Sequence, residues 1–97
     1  MASFGNGQQD VAAAGVTAEA LVATATYVKS VTIRAKDTNT GIVYVGDSAV
    51  AAANGLILNP NDVLTIEREN EFNLADIYVD VATSADGVSF AWVADHA

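Results

Sequence analysis

Short apolar runs separated by turn residues dominate the chain from residue 18 onward. Val31, Ile33 and Ala35 alternate with polar residues, and this pattern predicts a strand with one buried face and one polar face. The same reasoning predicts further strands over residues 42–45, 56–58, 63–67, 74–83 and 88–92. The last two are expected to form a hairpin that turns at Asp86-Gly87.

Turn residues divide these strands at intervals of roughly ten residues, which is typical of sandwiches and barrels. The sequences DTNTG over 37–41, NG over 54–55 and NPND over 59–62 are strong turn formers. Residues 19–26 fit either a strand or a helix. The pattern as a whole predicts an all-β fold, a small antiparallel β-sandwich or jelly-roll-like barrel of about seven or eight short strands.

The first 17 residues are rich in Gly, Asn, Gln and Ala and show no sustained period. We interpret residues 1–17 as an N-terminal arm and residues 18–97 as the β-sandwich domain, because 97 residues fit a single domain. The opening MASFGNGQQD lacks the basic and hydrophobic regions of a signal peptide. No apolar run reaches the length of a transmembrane span.

Composition narrows the range of partners. Four Lys plus Arg against twelve Asp plus Glu give a net charge of −8, which disfavours nucleic acid and anionic membranes as partners. The chain is 52% apolar, which disfavours disorder, and it has no cysteine for disulfides. Much of the apolar content is Ala and Val, so the core is small. A small core without covalent links favours stabilisation by oligomerisation.

The residues that catalysis requires are nearly absent. Without cysteine, and with His96 as the only histidine and close to the C-terminus, nucleophilic catalysis has no usable base. We therefore expect no enzymatic activity and no cofactor. A cupin-like metalloenzyme, the enzymatic alternative, would require internal histidines.

Two acidic segments are candidate calcium sites. Glu67, Glu69 and Glu71 would share one side if the strand continued, but a solvated acidic loop explains them better. Asp37-x-Asn39 resembles the start of a calcium loop, yet the glycine and the glutamate that such a loop requires are missing. We expect no metal site.

Aromatic residues offer a different class of function. Tyr44, Tyr78, Phe90 and Trp92 could form a sugar-binding platform, although their spacing on apolar strands favours core or subunit contacts. A carbohydrate-binding module that exposes Trp92 and Tyr44 stays an alternative.

Three segments resemble, in order, small virion proteins of tailed phages: 39–46 (NTGIVYVG), 55–62 (GLILNPND) and 75–81 (ADIYVDV). The similarity covers residues 28–94. Asn61 stands where a glycine usually follows the proline, and asparagine still permits a left-handed turn. The resemblance implies a jelly-roll-like sandwich that serves as a capsid decoration (cement) protein. A tail, connector or fibre component is the alternative.

The resemblance also implies location and partners. Such proteins are made in the host cytoplasm and sit on the capsid surface, often as trimers bound to the major capsid protein. The apolar second faces of strands 42–45 and 77–82 exceed what one small domain can cover, and exposed apolar patches mark interfaces. The predicted interface residues are Phe4, Val11, Val43, Tyr44, Tyr78 and Trp92. The virion position and copy number stay open.

Overall fold

The computed structural model of the chain describes residues 4–12, 18–51 and 54–94. These residues form eight strands and one turn of 3-10 helix, Leu74–Asp76. The strands are β1 (Phe4–Asp10), β2 (Glu19–Ala20), β3 (Tyr27–Ala35), β4 (Val43–Gly46), β5 (Leu56–Leu58), β6 (Val63–Asn73), β7 (Tyr78–Val81) and β8 (Gly87–Val93). The all-β prediction is confirmed.

The strands form two antiparallel sheets of four strands each. Sheet A has the order β1-β8-β3-β6, and sheet B has the order β2-β7-β4-β5. The first strand therefore pairs with the last, the second with the seventh, the third with the sixth and the fourth with the fifth. This is the strand order of a jelly roll, and the predicted sandwich is confirmed.

Mostly valine side chains fill the space between the sheets. In β3, Val31, Ile33 and Ala35 are buried while Thr32 and Arg34 are exposed, as their alternation predicts. The buried core consists of Val11, Leu21, Val28, Val31, Ile33, Ala35, Val43, Val45, Leu58, Leu74, Val79, Val81, Val88 and Phe90. Valine and alanine contribute little apolar area each, so this core is small for the length of the chain.

β1 is an edge strand of sheet A, although its sequence shows no apolar alternation. It pairs with β8 without a shift, from Phe4 opposite Val93 to Asp10 opposite Gly87. The predicted arm thus includes a strand of the sandwich. Residues 13–17 lie outside the described residues, and the division between arm and domain at residue 17 stays a prediction.

β7 and β8 do not form the predicted hairpin. β7 lies in sheet B and β8 in sheet A, so the chain crosses from one sheet to the other over residues 82–86. The predicted strand over 74–83 also begins late. Asn73 caps the 3-10 turn, because its side-chain oxygen accepts a 3.0 Å hydrogen bond from the Ala75 N–H.

Two other segments differ in extent from the sequence pattern. Of residues 19–26, only Glu19–Ala20 is a strand, and none of these residues is helical. β6 continues through the predicted loop at 68–73, with a shift in register. Val28 pairs with Phe72 and Ser30 with Glu67, so residue 29 of β3 lies opposite residues 68–71 of β6. This irregularity is a large bulge on an edge strand, with four residues opposite one.

Candidate interaction surfaces

The turn at 37–41 is joined to the turn before β8 by side-chain hydrogen bonds. The Asn39 side-chain N–H donates to the Gly87 carbonyl at 2.8 Å, and the Gly87 N–H donates to the Asn39 side-chain oxygen at 3.0 Å. Asn39 therefore takes the place of a paired strand residue. This contact holds the β3–β4 connection against the start of β8.

Asp86 provides the second half of the same junction. Its carboxylate accepts hydrogen bonds from the Gly41 N–H at 2.8 Å and from the Thr40 N–H at 3.0 Å. The residue is only 7% exposed. These two N–H donors therefore compensate for the hydrogen bonds to water that the carboxylate loses on burial. The Asn-Thr-Gly element of the resemblance is thus accounted for by the fold itself.

The turn at 59–62 is also explained by backbone geometry. The Asp62 N–H donates to the Asn59 carbonyl at 2.9 Å, and Asn61 has a φ of 74°. Pro60 followed by a residue with positive φ is the arrangement of a type II turn. Asn61 thus adopts the left-handed conformation that asparagine permits at this position. The turn motifs of the resemblance, at 39–41 and 59–62, are therefore explained by turn geometry rather than by a ligand site.

The six predicted interface residues fall into three environments. Val11 and Val43 are 0% exposed and belong to the chain's own core, so neither is available to a neighbour. The prediction is corrected for these two, because strand alternation turns Val43 inward and Val11 follows β1 into the sandwich. Trp92 faces inward from β8 and packs against the core. Phe4, Tyr44 and Tyr78 stay candidates.

Trp92 covers a glycine of the edge strand. Gly5 lies opposite Trp92, and a Cβ added at Gly5 would stand 2.5 Å from the indole ring. Gly7 lies opposite Phe90 in the same way, with the ring 2.8 Å from an added Cβ. The two rings fill space that side chains on β1 would otherwise occupy.

The outer face of sheet B carries a strip that we call the tyrosine face, made of Tyr44, Ile57 and Tyr78, with the buried carboxyl residue Asp80 opposite Tyr44 on β7. Tyr44 pairs directly with Ile57 on β5, and Tyr78 pairs with Gly46 on β4. The two tyrosines are half-buried, whereas Ile57 is 56% exposed. All three point away from the core because their neighbours in sequence point into it.

The loop after β4 borders this strip. Val50 is 5% exposed and packs beside Gly46, where a Cβ would lie 2.9 Å from its side chain. Gly55 lies close to Tyr44, since a Cβ there would approach the tyrosine Cβ to 2.7 Å. The loop therefore packs on the outer face of sheet B, beside the tyrosine face.

A second apolar area lies at one end of sheet A. Phe4 is 80% exposed, and its cross-strand partner Val93 is 41% exposed. We call this pair the Phe4 patch. It lies on the outer face of sheet A, away from the core and on a different sheet from the tyrosine face.

Several exposed apolar residues were missed at the level of sequence. Leu56 is 60% exposed and Val63 is 56% exposed, on consecutive strands that both form sheet edges. The sequence does indicate exposure in the short strand 56–58, because its three successive apolar residues cannot all face one core. What the sequence does not reveal is that this strand forms an edge.

The acidic candidates do not converge in the described residues. Glu67, Glu69 and Glu71 are exposed on the bulged edge strand. Among residues 4–12, 18–51 and 54–94, no three carboxylate or histidine side chains come together in a way that could hold a metal ion. The proposed sugar platform is corrected, since Trp92 faces inward from sheet A and Tyr44 faces outward from sheet B.

The outer face of sheet A is polar and uncharged over much of its area. Its central rows place Asn6, Ala91, Thr32 and Thr65 side by side, next to a row that contains Arg34. Arg34 donates to the side-chain oxygen of Asn61. A shallow groove of about 420 Å³ lies over these rows.

Comparisons with known proteins give little beyond this geometry. No family model matches the chain, and no curated protein matches it. Among solved structures, the chain is similar to a chain described as "Cyanophage Pam1 capsid asymmetric unit", at 18% identity. The match covers 96% of this chain and 81% of the other, with a TM-score of 0.34. A TM-score of this size is too low to transfer a fold or a function.

In the described part of the chain, no helix has the length and apolar character needed to cross a membrane.

Proposed function

We propose that the chain is a non-enzymatic structural protein of a phage particle. It assembles with copies of itself, as a trimer in the arrangement that the resemblance implies, and decorates a shell built by the major capsid protein. The proposal starts from the resemblance over residues 28–94. The jelly-roll strand order fits the fold that this resemblance implies.

One observation carries the proposal: large apolar side chains are exposed on more than one side of a small domain. Phe4, Leu56 and Ile57 are 80%, 60% and 56% exposed. Scattered apolar residues are common on protein surfaces, but neighbouring ones on sheet faces and edges are typical of interaction sites. Tyrosine is also enriched at protein interfaces, since it combines a large apolar ring with a polar hydroxyl.

The charge of the chain fits a protein partner better than nucleic acid. Of the four cationic residues, Lys36 pairs with Asp10 at 2.7 Å, and Arg34 hydrogen-bonds Asn61. The net charge of −8 keeps free subunits apart and soluble, and favours a basic area on the partner. Many copies on a repetitive shell would then bind with avidity although each contact is weak.

A tail, connector or fibre component would use the same surfaces and is the second reading within the virion. For a carbohydrate-binding module, the proposed platform of Trp92 and Tyr44 does not form, because the two residues lie on different sheets. That alternative now requires a site built on the tyrosine face alone.

The test is co-sedimentation of the purified protein with shells assembled from the major capsid protein of the same phage. We expect the wild-type chain to pellet with shells and Ile57→Asp to remain in solution. Thr65→Asp is the matched control, because it adds the same charge at an exposed strand position on the other sheet. Equal pelleting of both variants, or no binding by the wild type, would overturn the proposal.

A further inference from the structure

The two sheets have four edge strands, and three of them carry features that hinder pairing with another chain. β2 has two residues and β5 has three, and Pro60 follows β5 directly after Asn59. β6 is long, but it is interrupted by the bulge at 68–71 and carries exposed charges there. Short length, bulges and charges are the usual protections of an edge strand.

β1 has none of these protections over residues 4–9. It is seven residues long, pairs with β8 without a shift and has its single charged residue, Asp10, at its end. Asp10 is paired with Lys36 of the same chain at 2.7 Å. No described residue forms a strand on the other side of β1. This edge is therefore open to another strand.

The backbone groups on this open edge belong to alternate residues. Val11 bonds the backbone on the β8 side, because its N–H donates to the Asp86 carbonyl at 2.9 Å and its carbonyl accepts from Ala85 at 2.7 Å. Successive residues of a strand turn their N–H and C=O to opposite sides. The N–H and C=O groups of Asn6 and Gln8 consequently face away from β8.

We propose that two copies of the chain pair through these edges, antiparallel and about a two-fold axis at Gly7. In that register Asn6 of one copy is opposite Gln8 of the other, and each pair exchanges both backbone hydrogen bonds. Gly7 faces its own counterpart at the axis, where the absence of a side chain permits close approach. The two A sheets then join into one continuous sheet.

The self-complementary sequence of β1 points to a second copy as the occupant. In this register the side chains of Asn6 and Gln8 stand side by side on the outer face, where their amides can bond each other. The inward positions hold Gly5, Gly7 and Gln9, so no bulky side chain obstructs the partner. A two-fold contact of this kind is isologous, so it joins two copies, or two of the proposed trimers, and does not by itself extend into a fibre.

Charge gives the pairing a distinct dependence on salt. Each copy carries a net charge of −8, so two copies repel each other at low ionic strength. We expect the pair to become tighter as salt is added.

The pairing is tested by sedimentation velocity on the full chain and on Gln8→Pro. Proline at residue 8 removes an N–H that faces the open edge, and edge strands tolerate proline at such a position. We expect Gln8→Pro to halve the mass of the wild-type assembly and to leave its circular dichroism spectrum unchanged. Gln8→Ala is the matched control and should retain the full mass, because it keeps the N–H.

A second measurement decides the matter if Gln8→Pro does not fold. Hydrogen exchange followed by NMR on the wild-type chain should show the Asn6 and Gln8 amides protected, and the double variant Asn6→Lys/Gln8→Lys should lose that protection. A wild-type chain of single-subunit mass, or a mass that no edge variant changes, would overturn the proposal. So would amides that are protected only when shells are added, since a strand of the shell protein would then occupy the edge.

The pairing does not rest on the proposed function. Gln8→Pro leaves the tyrosine face intact and should still pellet with shells. Retained pairing without any shell binding would contradict only the virion role.

Discussion

The side chain of Asn39 forms two hydrogen bonds with the backbone of Gly87, at 2.8 and 3.0 Å, across a separation of 48 residues. An asparagine amide supplies one donor and one acceptor in the same plane, which is what a strand residue offers its partner. This contact lies where the chain enters β8, an inner strand of sheet A. The contact connects the turn at 37–41, which the sequence predicts, to the crossing between sheets over residues 82–86, which the sequence does not predict.

Replacing Asn39 should therefore weaken the whole fold. Asn39→Ala removes the hydrogen bond of the Gly87 N–H in a partly buried position and leaves the Gly87 carbonyl with the 3.2 Å bond from the Lys36 N–H. We expect a loss of about 1–3 kcal/mol in the free energy of unfolding. Urea denaturation, monitored by circular dichroism, measures this change in the free energy of unfolding. Asn70→Ala, at an exposed position on β6, is the control and should change stability by less than about 0.5 kcal/mol. Equal effects of the two substitutions would contradict the role given to Asn39.

The glycines of β1 should be difficult to replace. A methyl group at Gly5 or Gly7 would collide with the ring of Trp92 or Phe90, at 2.5 and 2.8 Å. We expect Gly7→Ala to cost about 1–3 kcal/mol, since the ring must leave its packed position. Gly5→Ala should also shift the emission of Trp92, the only tryptophan of the chain. Asn6→Ala, between the two on the outer face, should lower stability by less than about 0.5 kcal/mol and leave the emission unchanged.

Ala85 marks a position where the chain is less stable than it could be. Its φ is 75°, a conformation that costs residues with a Cβ roughly 1–2 kcal/mol and glycine almost nothing. We expect Ala85→Gly to raise the free energy of unfolding by about 0.5–1 kcal/mol, after the greater flexibility of glycine in the unfolded chain is subtracted. Ala82→Gly, at a nearby exposed residue without positive φ, should lower it instead. Thermal melts of the two variants would show opposite shifts.

Removal of residues 1–10 tests how firmly β1 belongs to the sandwich. Without β1, the edge of β8 and one side of the Trp92 and Phe90 rings become exposed to water. We expect a red shift of tryptophan emission and a lower midpoint in urea, because β8 loses a full set of backbone partners. A shortened chain with wild-type emission and stability would show that β1 is a dispensable arm.

Much of the fold could be predicted from local sequence, and the reasons are visible in particular elements. β5 was predicted to the residue because Asn54-Gly55 and the turn at 59–62 bound it on both sides. The buried residues of β3 followed from their alternation. The extent of β1 over residues 4–10 was not predicted, because two of its three inward positions are Gly5 and Gly7, whose space is filled by aromatic rings from another strand. No pattern within residues 4–10 records that arrangement.

The interface residues were harder to predict than the strands. Tyr44 and Val43 are neighbours in one apolar run, yet Tyr44 lies half-buried on the outer face of sheet B and Val43 lies in the core. Which of the two faces outward depends on which side of β4 the other sheet covers. The prediction of a β7–β8 hairpin was wrong for a similar reason. The turn at Asp86-Gly87 leads from one sheet to the other rather than to an adjacent strand.

The central claim is that the exposed apolar side chains of the tyrosine face and the Phe4 patch are covered by other chains. Multi-angle light scattering on the purified protein, over a range of concentrations, tests this most directly. We predict the mass of several chains, and a lower mass for Ile57→Asp than for Thr65→Asp. A wild-type chain that keeps the mass of one subunit at every concentration would contradict the claim.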